Sequence, residues 1–153
     1  MRPPAPRGLR RALLVVALSV PLVACGGEPT AEDYCEQLAA DRQELADLVS
    51  SGSPTALLSG LDLLDELGAQ APRDLRDEWD TLTDALHGLQ DALDEAGVAP
   101  SDFEDGEPPE GLAAPDREAV ATAADRLRAP DVVEAAAGIE TQARDVCKVN
   151  LGL

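Results

Sequence analysis

Aromatic residues are nearly absent: one Trp, one Tyr and one Phe make up 2% of the 153 residues. Strand-type runs of β-branched residues are missing as well, so an all-helical fold is predicted. Histidine occurs once, at His87, and cysteine three times, at Cys25, Cys35 and Cys147. Positive charge is scarce and unevenly placed. Four of the twelve basic residues, Arg2, Arg7, Arg10 and Arg11, precede Ala12, while the first acidic residue is Glu28. From Cys25 onward eight basic residues face thirty acidic ones, a formal charge of −22. A surface of that sign repels phosphate, which excludes nucleic acid as a partner, and it repels anionic headgroups too. What is abundant is leucine, 18 copies after Cys25 in periodic order, so the low hydrophobicity of a disordered chain is confined to one segment.

Residues 1–24 have the layout of an export signal: a basic start, an apolar run from Ala12, and small residues before Cys25. The apolar run is interrupted by Ser19 and Pro21 and falls short of the roughly 20 residues that a spanning helix needs. Leu22-Val23-Ala24-Cys25 resembles the lipobox of bacterial lipoproteins, a likeness that covers residues 1–27. The resemblance implies a diacylglyceryl group on the Cys25 thiol and cleavage between Ala24 and Cys25. Two acyl chains hold a protein stably where one holds it marginally. The expected address is therefore the extracytoplasmic face of the cell membrane. The alternative is an incidental Cys25 behind an ordinary cleavage site. Leu9-Arg10-Arg11-Ala12-Leu13-Leu14 is a weak twin-arginine match, and ordinary unfolded export is preferred over it.

With Cys25 lipidated, Cys35 and Cys147 remain to pair in an oxidising compartment. The alternative is two separate buried thiols. Residues 25–30 form a tether, and the five from Gly26 to Thr30 reach at most about 18 Å. Beyond the lipobox, the chain resembles small Ala- and Asp-rich lipoproteins of high-GC Gram-positive bacteria, through Tyr34-Cys35 near the mature start and Cys147 near the end. That resemblance implies a helical domain tied by a disulfide, over residues 31–149.

Periodicity predicts the helices. Thr30 and Asp33 have capping-box spacing ahead of a helix from Ala31 to Val49, with Tyr34, Leu38, Leu45, Leu48 and Val49 on its apolar face. Pro54 opens a second helix carrying Leu57, Leu58, Leu61, Leu64 and Leu67, stopped by Gly68. From Pro72, a third shows Leu75, Trp79, Leu82, Leu86, Leu89 and Leu93 at alternating spacings of 4 and 3, a seam for packing against other helices. Gly97 and Pro100 close it, and residues 101–111 are an acidic loop rich in Pro and Gly. The last periodic region runs from Pro115 to Val149 and is kinked or broken at Pro130. Val120, Ala123, Ala124 and Leu127 line its first half; Val133, Ala136, Ile139, Ala143 and Val146 line its second. A Cys35–Cys147 bridge requires the first and last helix ends to meet, hence an even count. An up-down four-helix bundle with a kinked last helix is expected.

Candidate chemistry is thin. Asp102, Glu104, Asp105, Glu107 and Glu110 offer oxygens to Ca²⁺, but the spacing is not that of an EF-hand, and a solvated loop is the plainer account. His87 lies beside the third-helix seam with no nucleophile motif such as G-x-S-x-G to serve. One His and no free Cys leave zinc only carboxylates. Trp79 is either the largest core residue or the wall of an apolar pocket. Carboxylates one turn apart, as in Asp62 with Glu66 or Asp91 with Glu95, arise by composition. No catalytic residue, metal site or cofactor is assigned. The expected function is a non-enzymatic, membrane-tethered interaction module with an envelope protein or polymer as partner; the rival is a small-ligand or cation-binding lipoprotein.

Overall fold

The computed structural model describes residues 29–50, 54–103 and 107–151. The expected export signal, Cys25, most of the expected tether and the loop residues Glu104, Asp105 and Gly106 lie outside the described residues. Within them the chain is helical: α1 (Ala31–Ala40), α2 (Arg42–Ser50), α3 (Pro54–Ser59), α4 (Leu61–Ala69), α5 (Arg76–Ala96), α6 (Ala114–Arg126) and α7 (Pro130–Asp145), with a short 3-10 turn at Pro100–Asp102.

The start of α1 follows from its cap. The Thr30 hydroxyl oxygen accepts from the Asp33 amide, and the Asp33 carboxylate accepts from the Thr30 amide, each at 3.2 Å. Two otherwise orphaned donors are satisfied reciprocally. The hydrogen bonds from Thr30 also hold the Asp33 carboxyl below its usual range.

Two helices expected to be continuous are interrupted, at Asp41 and at Gly60. Neither interruption reverses the chain. The Asp41 amide still donates to the Gln37 carbonyl and the Asp41 carbonyl accepts from Leu45, both at 3.0 Å. The Gly60 amide likewise reaches Ala56 at 3.1 Å, and the Gly60 carbonyl accepts from Leu64 at 3.0 Å. The helical ladder thus passes through both points.

Other boundaries differ from the periodicity. Gly68 does not stop α4, which is capped one residue beyond Ala69 by Gln70. Gly68 instead faces Trp79: a Cβ there would stand 3.4 Å from the Trp79 Cβ, in ordinary van der Waals contact, so the position is part of the α4–α5 packing. Pro72 does not begin α5. It sits buried in a turn closed by the Leu75 amide on the Pro72 carbonyl at 2.9 Å, and regular helix starts at Arg76. Gly97 ends α5 as expected, in the left-handed conformation (φ 66°), with the Val98 amide on the Leu93 carbonyl at 3.1 Å. Only glycine adopts that conformation without steric cost.

At Pro130 the chain breaks rather than kinks. Ala129 is extended (ψ 144°) and α7 restarts with Pro130 in its first turn, where the missing amide costs nothing. Arg126 on α6 grips Asp131 on α7 across the break with two bonds of 2.8 and 2.6 Å. That grip holds the Asp131 carboxyl below its ordinary range.

The long α5 is the centre of the fold, packed by α4, α6 and α7. Its buried face is Trp79, Leu86, Leu89 and Leu93, while Leu82 is partly buried. The buried stripe of α7 is Val132, Ala135, Ile139 and Ala143; Ile139 and Ala143 stand where the periodicity puts them, while Val133 and Val146 are 56% and 50% exposed.

Candidate functional site

Three features of the sequence converge at one end of α5. Tyr34, on α1, is fully buried, and its phenolic oxygen accepts a hydrogen bond from Trp79 Nε1 at 3.1 Å. Burial of two aromatics with polar atoms is tolerated because those atoms satisfy each other. The next residue, Cys35, forms a disulfide with Cys147, the Cα atoms standing 4.9 Å apart. The pairing expected from the odd thiol count is present. Beyond the bridge, Lys148 takes φ 59°, a left-handed turn, and the chain folds back so that Val149 and Leu151 are buried.

Burial pushes the Tyr34 phenol up to about 12, although the bond from Trp79 acts in the opposite direction. A raised folded value means that the neutral phenol favours the native state. Its contribution is intact below about pH 10, the unfolded value, and disappears between pH 10 and about 12. Because Tyr34 is the single tyrosine, the ultraviolet absorbance of tyrosinate reports it alone. In an alkaline titration that absorbance should rise well above pH 10 and together with loss of helical circular dichroism. A rise centred near pH 10 with the helical signal intact would contradict this burial.

Beside Trp79 the described residues leave a partly open pocket. A cavity of about 510 Å³ opens between the helices, walled by Leu48 of α2, Leu57 of α3, Leu86 of α5, Val132 of α7, the indole of Trp79, and Leu151 from the C-terminal segment. Trp79 is therefore both the largest buried core residue and part of a pocket wall. Of the residues read from the sequence as the core stripe of α7, Val133 and Ala136 line the cavity instead. Two charged side chains border it, Arg128 after α6 and Glu140 on α7. Arg128 is already engaged by Asp125 at 2.9 Å. Glu140 makes no salt bridge among the described residues. The size lies in the range of small-molecule sites, and an apolar lining with few polar groups is their usual make-up.

Sequence periodicity did not reveal the cavity. Arg128, Glu140 and Leu151 fall outside every apolar stripe. One signal was available: Val133, Ala136 and Glu140 follow at spacings of 3 and 4, a line flanking the buried stripe that ends in a carboxylate.

The other candidates are not brought together. His87 Nε2 lies 3.0 and 2.9 Å from the two Asp65 oxygens. Both side chains are largely in solvent, 48% and 40% exposed, where such a pair contributes little. In the acidic loop the Asp102 carboxylate accepts from the Ala99 amide at 2.8 Å and so serves the backbone. Among the described residues no group of three His, Cys, Asp or Glu is arranged to hold a metal ion, and no helix is long and apolar enough to cross a membrane. Comparison with protein-family models, with curated proteins and with solved structures finds no match to this chain.

Proposed function

We propose that the chain is a lipoprotein, acylated at Cys25 and held on the extracytoplasmic face of the cell membrane, whose helical domain binds an apolar small molecule between its helices without catalysing its conversion. The cavity beside Trp79 carries this reading. A core that closed fully would favour a purely structural or partner-binding role. Here an opening of about 510 Å³ persists among leucines that would otherwise be expected to collapse onto one another. The lipobox of Leu22–Cys25 and the Cys35–Cys147 bridge support the address, since structural disulfides belong to oxidising compartments.

The same proposal takes the architecture as four arms of an up-down bundle: α1–α2, α3–α4, α5, and α6–α7 bent at Pro130. The unbroken ladders at Asp41 and Gly60 support the first two. For the last arm, support comes from α6 and α7 both packing along α5, with Gly138 near the middle of α7 against Glu78 in the first turn of α5.

A neutral apolar dye, N-phenyl-1-naphthylamine, tests the binding reading. The domain should take it up with enhanced fluorescence, and Ala136→Phe should weaken uptake at least tenfold by occupying the cavity. The added ring enters existing space, so urea denaturation of this variant should show stability equal to or above the parent. No uptake by the parent, or Ala136→Phe destabilising the fold while leaving uptake intact, would defeat the reading. If a partner protein rather than a small molecule covers the site, the parent will exclude the dye only in its presence. Intact mass of membrane-extracted protein tests the anchor: a chain beginning at acylated Cys25 is expected, and one retaining residues 1–24 would remove it.

A further inference from the structure

We propose that closure of the Cys35–Cys147 bridge completes the apolar pocket, so that the domain gains its ligand affinity only once it is oxidised; the inference rests on the apolar-binding reading above. One ground is the relation of the pocket walls. Leu45, Leu48 and Val49 of α2 stand on one side, and Val132, Val133 and Ala136 of α7 on the other. These two helices share no packed face: α2 packs on α1 and α3, whereas α7 packs on α5. Nor does α1, which packs on α2 and α4, share one with α7. The walls are therefore related through α5 and, from the start of α1, through the bridge, which sets the Cα atoms of Cys35 and Cys147 4.9 Å apart.

The other ground is the segment that the bridge anchors. Directly after Cys147 the chain turns at Lys148 through the left-handed region (φ 59°), and the Val149 amide donates to the Ala143 carbonyl at 2.9 Å. Leu151, 5% exposed, then reaches the pocket wall. A residue other than glycine adopts that turn at a steric cost, which the burial of Val149 and Leu151 has to offset. On the opposite flank, Cys35 follows Tyr34, whose phenol holds the indole of the wall residue Trp79. Without the bridge the arm of α1 and the C-terminal segment are free to part, and a ligand spends binding energy on drawing them together. Closure joins the two Sγ atoms while the thiols give up two electrons and two protons to a disulfide oxidant, which leaves as a dithiol. Oxidants of that class work outside the cytoplasm, so binding begins after export.

The test is uptake of N-phenyl-1-naphthylamine by the oxidised parent and by a chain carrying Cys35→Ser and Cys147→Ser, both in enough trimethylamine N-oxide to keep the variant as helical as the parent by circular dichroism. The variant should bind the dye about tenfold more weakly. By reciprocity, saturating dye should raise the ratio of reduced to oxidised dithiothreitol that half-reduces the parent by about the same factor. Leu151→Ala, with the bridge intact, should weaken uptake about threefold by removing one wall side chain. A helical double-serine variant that binds the dye as tightly as the parent overturns the proposal, and so does Leu151→Ala with unchanged uptake. If the osmolyte does not restore the helices of the double-serine variant, Leu151→Ala in the oxidised chain decides alone. Failure of the oxidised parent to bind the dye at all defeats the apolar-binding reading itself.

Discussion

A chain carrying Cys35→Ala and Cys147→Ala is expected to lose about 5 kcal/mol of folding stability relative to the oxidised parent. The bridge closes a loop of 112 residues, nearly the whole domain. Cross-linking so distant a pair removes much of the conformational freedom of the unfolded chain, and the chain-entropy relation gives about 5 kcal/mol at this length. Stabilities of single domains are about 5–15 kcal/mol, so the loss is comparable to the total. It should appear in urea denaturation followed by helical circular dichroism, and reduction of the parent by a thiol reagent should reproduce it. The first and last helices would fray before the centre of α5, because the bridge is a principal tie between the chain ends. A loss below about 1 kcal/mol would mean that the reduced, unfolded chain already keeps its ends together, and the entropic account would fail.

Trp79→Ala should cost about 3–5 kcal/mol, the range for removing a large aromatic from a packed core. Trp79 is 2% exposed, receives the close face of Gly68, and donates its indole N–H to Tyr34. Because one edge already borders the cavity, truncation enlarges an existing void instead of opening a new one that neighbours can close. The upper part of the range is therefore expected. Trp79→Phe separates packing from the polar bond. It keeps most of the ring volume but leaves the buried Tyr34 hydroxyl without its donor, at a cost of about 1–3 kcal/mol. Tyr34→Phe in the same background should recover part of that loss, since both polar atoms are then gone. A double-mutant cycle on urea midpoints checks this, and full additivity of the two changes would show that the Trp79–Tyr34 bond contributes nothing.

Much of the helical plan was legible, and the errors have local causes. Thr30, Gly97 and the α5 seam carry short-range signals whose outcome does not depend on the rest of the chain, and they appear where expected. Gly68 and Pro72 were misread because propensity treats each as a boundary mark. In the fold, Gly68 is a contact surface for an indole, and Pro72 is buried in a turn ahead of α5. In α7 the periodicity places Ile139 and Ala143 correctly, but at the start of the helix it selects Val133 and Ala136 where the neighbouring Val132 and Ala135 are the buried pair. The cavity was the least legible feature. An apolar stripe records that a helix face avoids water; it does not record whether the facing side chains meet. Val133 and Ala136 were read as core from the same periodicity that marks Ile139, and only the arrangement of four or more helices distinguishes a filled seam from an open one. Leu151 lies beyond the last helix, where periodicity has nothing to report.

The position of the bridge bears on survival at an exposed surface. A protease that cuts once anywhere between Cys35 and Cys147 produces two pieces that are still covalently joined. The acidic stretch around residue 107 is inside that interval, as is the break before Pro130. Whatever holds residue 25 thus continues to hold both fragments after a nick, and shedding the domain takes either a cut outside the loop or a reductant acting together with the protease.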